Sequence, residues 1–350
     1  MTVSPFDHPL LAGLLGDSEV AAWFSVAAEL DAMLDFERAL AAAQAELGII
    51  PAAAAGAIAA CLDGFTPETA ALRAATARDG VVVPELVRQI RHALGEPHAR
   101  HVHFGATSQD VIDTALMLRL KSVLAIFEAR LDAIDEALAD LDSRFGSGEL
   151  TAVTRMQPAI PIGVANRIET WRRPLERHRQ RLREQSPRLL AVQFGGAAGT
   201  LDALGEAGPA VRASLAARLG LADTPQWQSQ RDRLAEFASW LSLVTASLGK
   251  FGQDIALMAL DGRAIRLSGG GGSSAMPHKR NPVKAEALET LARFNAIQVG
   301  AMHQAAIHPL ERSGSAWTLE WLVLPQMVVA AGAALRLAGQ LIGEIEAMGN

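Results

Sequence analysis

Apolar side chains recur at alternating steps of three and four residues along three long stretches of the chain. The first stretch runs from Met117 to Phe145, the second from Val164 to Leu182 and the third from Leu234 to Met258. Because this repeat places the apolar side chains on one face of a helix, each stretch predicts a long amphipathic helix. The first helix, beginning near residue 109, would be roughly 54 Å long at 1.5 Å per residue. A helix of that length needs partners of similar length.

Two further helical patterns complete the set of long helices. They lie at about residues 281–306 and 318–347, and polar residues interrupt the first of the two. The five long helices together predict a bundle over residues 105–350. Residues 1–104 instead show shorter, alanine-rich helical patterns broken by glycine and proline, which predicts a small N-terminal helical domain. We therefore predict an all-α protein, with short strand candidates only between helices, such as residues 150–154 and 190–194.

Composition and charge narrow the class of protein. The chain has 350 residues, half of them apolar and a fifth charged, and its formal net charge is −6 with the basic residues scattered. These values are typical of a soluble globular protein and argue against a nucleic-acid partner. The longest charge-free apolar stretch, residues 321–335, is short and contains Pro325, so no membrane partner is expected. With one cysteine and no signal pattern, a cytoplasmic location is expected.

Two polar segments between the predicted helices are candidates for a binding site. The first contains His103 and the run Thr107, Ser108 and Gln109 at the start of the first long helix. Free amides and the helix dipole at such a terminus favour a carboxylate ligand, although helix capping explains the same residues equally well. The second segment, residues 151–161, carries Arg155 and Gln157 between prolines and is read as a loop.

The third candidate segment reads GGGGSSAMPHKRN over residues 269–281. Four glycines give the backbone enough freedom to move a loop over a site, and Ser273, Ser274, Lys279 and Asn281 would move with it. Composition alone favours a linker and a lid equally.

The residues that follow the glycines decide between these interpretations. Residues 272–282, GSSAMPHKRNP, match the signature GSSxMPxKxNP of the fumarase/aspartase superfamily, and VHFGATSQDVIDTAL resembles a second block of that superfamily. The resemblance implies a homotetramer built around a shared bundle, with each active site assembled from three subunits. It also implies that the family's C-terminal helical domain is absent, because the sequence stops at residue 350.

The same resemblance assigns roles to the loop residues. Ser273 would be the catalytic acid and base, with Ser274 as the neighbour that could share or replace it, and Lys279 and Asn281 would hold a substrate carboxylate. The family's reaction passes through an aci-carboxylate intermediate and is expected to need neither a metal nor an organic cofactor. A serine hydroxyl must be activated by neighbouring cations or amides to serve as a base.

Two departures from the lyases of this superfamily point to a particular reaction. Where the lyases carry GRTHGQPA, residues 152–159 read AVTRMQPA, so that Arg155 stands in the place of the histidine. Where adenylosuccinate lyases carry HDVVAF, residues 79–84 read DGVVVP, again without a histidine. An amine leaving group needs a general acid, whereas a carboxylate with a pKa of about 4 departs as a stable anion. The lost histidines therefore favour an intramolecular carboxylate, as in opening or closing a lactone.

Further sequence segments resemble those of the bacterial cycloisomerases of 3-carboxymuconate within this superfamily, including WQSQRD at residues 227–232 and ERSGSAWTLEW at 311–321. That branch implies addition of a carboxylate oxygen to a conjugated double bond, after which Ser273 protonates the α-carbon. A small polycarboxylate substrate would explain Arg155, Lys279 and either Arg280 or Arg312, because arginine binds carboxylates in a two-pronged fork. A sulfonated muconate, an amine-releasing lyase reaction like that of adenylosuccinate lyase, and a non-catalytic bundle are the alternatives.

Overall fold

A computed structural model describes residues 3–260 and 262–349 of the chain. The all-α prediction is confirmed, because strands form only two small two-stranded sheets among these residues. The helices are α1 (Ala12–Leu15), α2 (Ser18–Ala22), α3 (Val26–Glu46), α4 (Ala52–Leu62), α5 (Thr69–Asp79), α6 (Val83–Leu94), α7 (Ser108–Phe145), α8 (Val164–Leu189), α9 (Gly208–Leu219), α10 (Asp232–Met258), α11 (Val283–Ala305) and α12 (Gly314–Gly343). The strands are β1 (Glu149–Thr154), β2 (Gln157–Gly163), β3 (Ile265–Leu267) and β4 (Ile345–Met348).

The five predicted long helices are α7, α8, α10, α11 and α12, and they pack into one bundle. Their three–four seams form its core, where Leu120, Phe127, Leu234 and Leu241 are fully buried. Helix α12 is long and apolar enough to span a membrane, yet its most apolar window is 72% buried within the fold. That burial is typical of the core helix of a bundle, which needs the same composition for packing.

The N-terminal helices surround a second core, in which Met33, Phe36, Leu86 and Ile90 are buried. This core also includes apolar residues from the first two turns of α7. The N-terminal helices are therefore joined to the bundle by shared packing at the start of α7. The predicted division at residue 104 stays a prediction.

Three predicted details are wrong. The last helix ends at Gly343 rather than near 347, because residues 345–348 pair with β3 as strand β4. The segment read as a loop contains β2, whose prolines are tolerated because each strand of a two-stranded hairpin is an edge strand. The strand candidate at 190–194 forms only an isolated bridge between Ala191 and Ala222.

The bundle has two ends, which ion pairs between helix termini identify. At one end, Asp113 near the start of α7 and Glu320 near the start of α12 both bind Arg231, which directly precedes α10. We call this the proximal end. At the other, Lys284 in the first turn of α11 pairs with Glu344 just after α12. We call this the distal end, and the β1–β2 hairpin also begins there because it follows α7.

Candidate active site

Gln109 is the central polar residue of the proximal end. It is fully buried in the first turn of α7, where its amide nitrogen donates to Asp113 Oδ2 at 3.1 Å and to the Gln228 carbonyl at 2.7 Å. Its amide oxygen accepts a hydrogen bond from Arg312 Nε at 2.8 Å. Arg312 also donates to the Ala197 carbonyl at 3.2 Å. These bonds orient the Arg312 guanidinium, so Gln109 acts in this chain as a support for Arg312.

A buried charge cluster lies behind Gln109. Arg231 donates to Asp113 Oδ2 at 2.6 Å and to Glu320 Oε1 at 2.8 Å, while Trp317 Nε1 donates to Asp113 Oδ1 at 3.0 Å. Burial acts to lower the pKa of Arg231, but the two carboxylates outweigh it and raise the pKa, so the guanidinium stays charged. These residues fall within motifs noted above, but spacing could not show that they meet, because they come from three separate elements.

Asp110 connects the start of α7 to a second loop. Its buried carboxylate accepts hydrogen bonds from the backbone N–H groups of Thr107, Gly195 and Gly196 at 2.9–3.0 Å, and from Gln193 Nε2 at 3.0 Å. Burial raises the pKa of Asp110 to about 6, although all four donors act in the opposite direction. Thr107 and Ser108 are half-buried beside this carboxylate. The capping explanation therefore accounts for the local geometry, and substrate contact by these two residues stays a prediction.

His103 joins the loop before α7 to the N-terminal helices. Its backbone has a positive φ of 62°, and its Nδ1 lies 2.6 Å from Oε1 of the buried Glu37. Burial acts to lower the pKa of His103, but the Glu37 carboxylate outweighs burial and raises the pKa. In this chain His103 is thus held by Glu37, through a hydrogen bond that becomes an ion pair when the imidazole is protonated.

His308 is a proximal residue that the sequence analysis missed. Its Nε2 accepts a hydrogen bond from the Ser313 N–H at 2.9 Å, and its buried Nδ1 has no partner among the residues described. Burial and the nearby Arg231 lower the pKa of this imidazole, which favours its neutral form. The only signal in the sequence was a lone histidine four residues before Arg312.

Ser273 lies at the distal end, in a loop whose base is closed. Gly271 and Asn281 exchange two backbone hydrogen bonds of 2.8 Å, and Asn281 Nδ2 donates to the Gly272 carbonyl at 3.3 Å. Ser273 Oγ accepts hydrogen bonds from the N–H groups of Ala275 and Met276 at 3.3 and 3.1 Å. Ser273 is half-buried, whereas Ser274 and Lys279 are exposed. Within the described part of the chain, no hydrogen bond or ion pair holds the Lys279 side chain.

Arg155 occupies the tip of the β1–β2 hairpin. Thr154 pairs with Gln157, so Arg155 and Met156 form a two-residue turn, and both have positive φ values, 47° and 62°. Residues other than glycine adopt this conformation at an energetic cost, which is often accepted at functional sites. Arg155 and Gln157 are exposed, and no side chain among the residues described binds the Arg155 guanidinium.

One chain does not bring the candidate residues together. Arg312 lies two residues before α12, whereas the Ser273 loop begins beside the other end of that helix, where the Ser268 N–H donates to the Glu344 carbonyl at 2.8 Å. Helix α12 has 30 residues and therefore separates the two ends by about 45 Å. The proximal group is His103, Thr107, Ser108, Gln109 and Arg312. The distal group is Arg155, Gln157, Ser273, Ser274, Lys279 and Asn281.

Comparisons with known proteins agree with these motifs. Residues 17–296 match the family described as lyase. A Pseudomonas aeruginosa protein named 3-carboxy-cis,cis-muconate cycloisomerase is 44% identical over 335 residues, which cover 93% of this chain and 72% of that protein. An N-acetyl-S-(2-succino)cysteine lyase from Dickeya dadantii is 32% identical over 340 residues, covering 95% of this chain and 74% of that protein.

A solved structure extends the agreement from sequence to fold. The crystal structure of 3-carboxy-cis,cis-muconate lactonizing enzyme from Pseudomonas putida superimposes with a TM-score of 0.90 at 38% identity, covering 97% of this chain and 77% of that one. The predicted superfamily is therefore confirmed by both sequence and fold. This chain belongs to the lyase family, the fumarase/aspartase superfamily that its serine-loop signature indicates.

Proposed function

We propose that this protein is an isomerase that converts 3-carboxy-cis,cis-muconate to 4-carboxymuconolactone. The observation that carries the proposal is the 44% identity, over 93% of the chain, to a protein named for that reaction. The exposed Arg155 supports it, because it stands where the resemblance places a lyase histidine and supplies a cation without a transferable proton. A small soluble polycarboxylate as substrate also agrees with a cytoplasmic location.

We further infer that the active site forms between copies of the chain in a homotetramer, with three subunits contributing to each site. About 45 Å separates Arg312 from the Ser273 loop within one chain. A shared site therefore requires an antiparallel neighbouring chain whose distal end lies beside the proximal end of this chain. Exposed apolar side chains on the long helices support burial against other copies. They include Leu243, Leu257, Ile297 and Leu322.

The proposed reaction needs cations for a polyanion and one proton donor. Arg312, Arg155 and Lys279 would bind the substrate carboxylates, with Asn281 and the half-buried Thr107 and Ser108 at the start of α7 as further donors, while Gln109 supports Arg312. A carboxylate oxygen adds to the conjugated double bond, forming the C–O bond of the lactone, and the displaced electron pair passes into an aci-carboxylate. Ser273 then gives its proton to the α-carbon, and the resulting alkoxide recovers a proton from solvent.

Purified protein tests the proposal when it is mixed with 3-carboxy-cis,cis-muconate without added metal. We expect the ultraviolet absorbance of the conjugated diene to fall and 4-carboxymuconolactone to appear by chromatography. Parallel assays with 3-sulfomuconate and adenylosuccinate separate the alternatives. Fumarate released from adenylosuccinate, with the muconate untouched, would replace the proposal with an amine-releasing lyase reaction.

A further inference from the structure

Glu344 packs directly beneath the glycine run that leads to Ser273. Its backbone carbonyl accepts hydrogen bonds from Ser268 N–H at 2.8 Å and from Ser268 Oγ at 3.3 Å. A Cβ atom at Gly269 would lie closer than 3.0 Å to three atoms of the Glu344 carboxylate. The absence of a side chain at Gly269 therefore lets the glycine run, residues 269–272, pack against Glu344. We call this run the hinge.

The Glu344 carboxylate is held in that place by an ion pair with Lys284. The two side chains are 22% and 29% exposed, so water screens this pair less than it screens a fully exposed one. A cavity of about 320 Å³, lined by Gly269–Gly271, Lys284 and Glu344, lies at the same place. The hinge is thus supported at one side by a charged contact.

The ion pair links the segment that enters the Ser273 loop to the segment that leaves it, because Glu344 contacts Gly269 and binds Lys284. Gly269 precedes Ser273 by four residues, and Lys284 follows Asn281 by three, while the Gly271–Asn281 bridge lies between these points. Because Lys284 belongs to the first turn of α11, it is fixed to the bundle. The position of Glu344 relative to Gly269 therefore sets the position of the loop relative to the bundle.

We propose that the Lys284–Glu344 pair is a latch that positions the Ser273 loop for proton transfer. Lys284 and Glu344 are positioning residues, which act through the glycine hinge. The proposal rests on the role of Ser273 in the proposed function. Because the loop carries the proton donor Ser273 together with the proposed substrate ligands Lys279 and Asn281, breaking the latch lowers kcat and raises KM.

The first experiment compares Glu344→Gln and Lys284→Met with Glu346→Gln as a matched control. Glu346 forms a more exposed ion pair with Arg266 across β3 and β4, close to the hinge but without contact to the glycines. We expect about a tenfold fall in kcat and about a threefold rise in KM for each latch variant, with both constants unchanged in Glu346→Gln. Amide hydrogen exchange over residues 269–276 should become about tenfold faster, with no change in Glu346→Gln.

The second experiment tests the contact at Gly269. Gly269→Ala should displace the Glu344 carboxylate from Lys284. Amide hydrogen exchange over residues 269–276 should then be as fast as in Glu344→Gln. In a Glu344→Ala background the same substitution should add less than about a twofold effect, because the obstacle is gone. The latch would be overturned if the effects of Gly269→Ala and Glu344→Ala on amide exchange were fully additive. It would also be overturned if the loop amides of Glu344→Gln exchanged at the wild-type rate.

The exchange measurements need no turnover, so they separate the two proposals. If the wild type leaves 3-carboxymuconate unchanged, the proposed function fails, while faster loop exchange in the latch variants still supports the latch. If the wild type is active and Glu344→Gln matches it in both kcat and exchange, the latch fails and the function stands.

Discussion

The polar side chains at the two ends of the bundle differ in burial and in pairing. At the proximal end, Gln109, Asp113, Arg231 and Glu320 are buried and bind one another, so that Arg312 is oriented by its own chain. At the distal end, Lys279 and Arg155 are exposed on a loop and a hairpin tip, and within the described residues nothing binds their side chains. The proximal charge cluster is thus paired within one chain, whereas the side chains of Lys279 and Arg155 are free to bind an anion.

This difference follows from the cost of leaving charges in each place. A buried charge without partners is very unfavourable, so the proximal residues must form a complete network. An exposed charge is solvated by water and tolerates incomplete pairing. A movable loop is consistent only with the second situation.

The largest expected effect comes from removing the proposed proton donor at the distal end. Ser273→Ala should reduce kcat on 3-carboxymuconate about 10³-fold, because general acid–base catalysis contributes about that much. Ser274→Ala, the matched control, should change kcat less than about tenfold. Steady-state kinetics of both variants give the answer, and a large loss in Ser274→Ala with none in Ser273→Ala would transfer the role to Ser274.

A mixing experiment tests whether the two ends belong to different copies. Refolding inactive Ser273→Ala together with inactive Arg312→Met should restore about a quarter of the wild-type activity, because in random tetramers about a quarter of sites receive both intact residues. Ser273→Ala mixed with Lys279→Met is the control, because both residues lie in one loop and no intact loop is formed. Equal recovery in both mixtures, or in neither, would contradict an active site shared between copies.

The proximal network should be sensitive to a single uncompensated charge. Asp113→Asn should lower the free energy of unfolding by about 3 kcal/mol, because it leaves the buried Arg231 with one carboxylate. Asp132→Asn removes one partner of the more exposed Arg179 and should cost less than about 1 kcal/mol. Urea denaturation at a fixed protein concentration compares the two, and equal losses would show that the proximal cluster has no special importance.

The smallest predicted effect is a pH dependence at His103. Its pKa is raised in the fold, so its pair with Glu37 contributes fully below the unfolded value of about 6.5 and is lost as pH rises through the folded pKa. The wild type should therefore exceed Glu37→Gln in unfolding free energy by about 1–2 kcal/mol at pH 5.5, and by less at pH 9. A difference that grows with pH would contradict this assignment.

Much of the fold could be predicted because a helix is a local structure. The seams from Met117 to Phe145 and from Leu234 to Met258 describe the buried faces of α7 and α10 directly. Strands depend on their partners, so β2 and β4 could not be predicted with the same certainty. The end of α12 was misplaced because residues 345–348 continue an apolar pattern that pairing with β3 converts to a strand.

The candidate site divides in the same way. Ser273, Lys279 and Asn281 are identified by a contiguous signature, and Arg155 by its substitution for a histidine in a recognisable block. Asp113, Arg231 and Glu320 lie within quoted motifs but come together from distant positions, which the motifs could not show. The Lys284–Glu344 pair joins residues that are 60 positions apart.

The sequence by itself determined the helical class, the length of the bundle and the family, because periodicity and motifs are written in neighbouring residues. Only the tertiary structure decided that the predicted site residues lie at two ends about 45 Å apart, and that Gln109 supports Arg312. The physical reason is that contacts between elements depend on the direction and packing of whole helices. The position of Glu344 beneath Gly269 is a consequence of that packing.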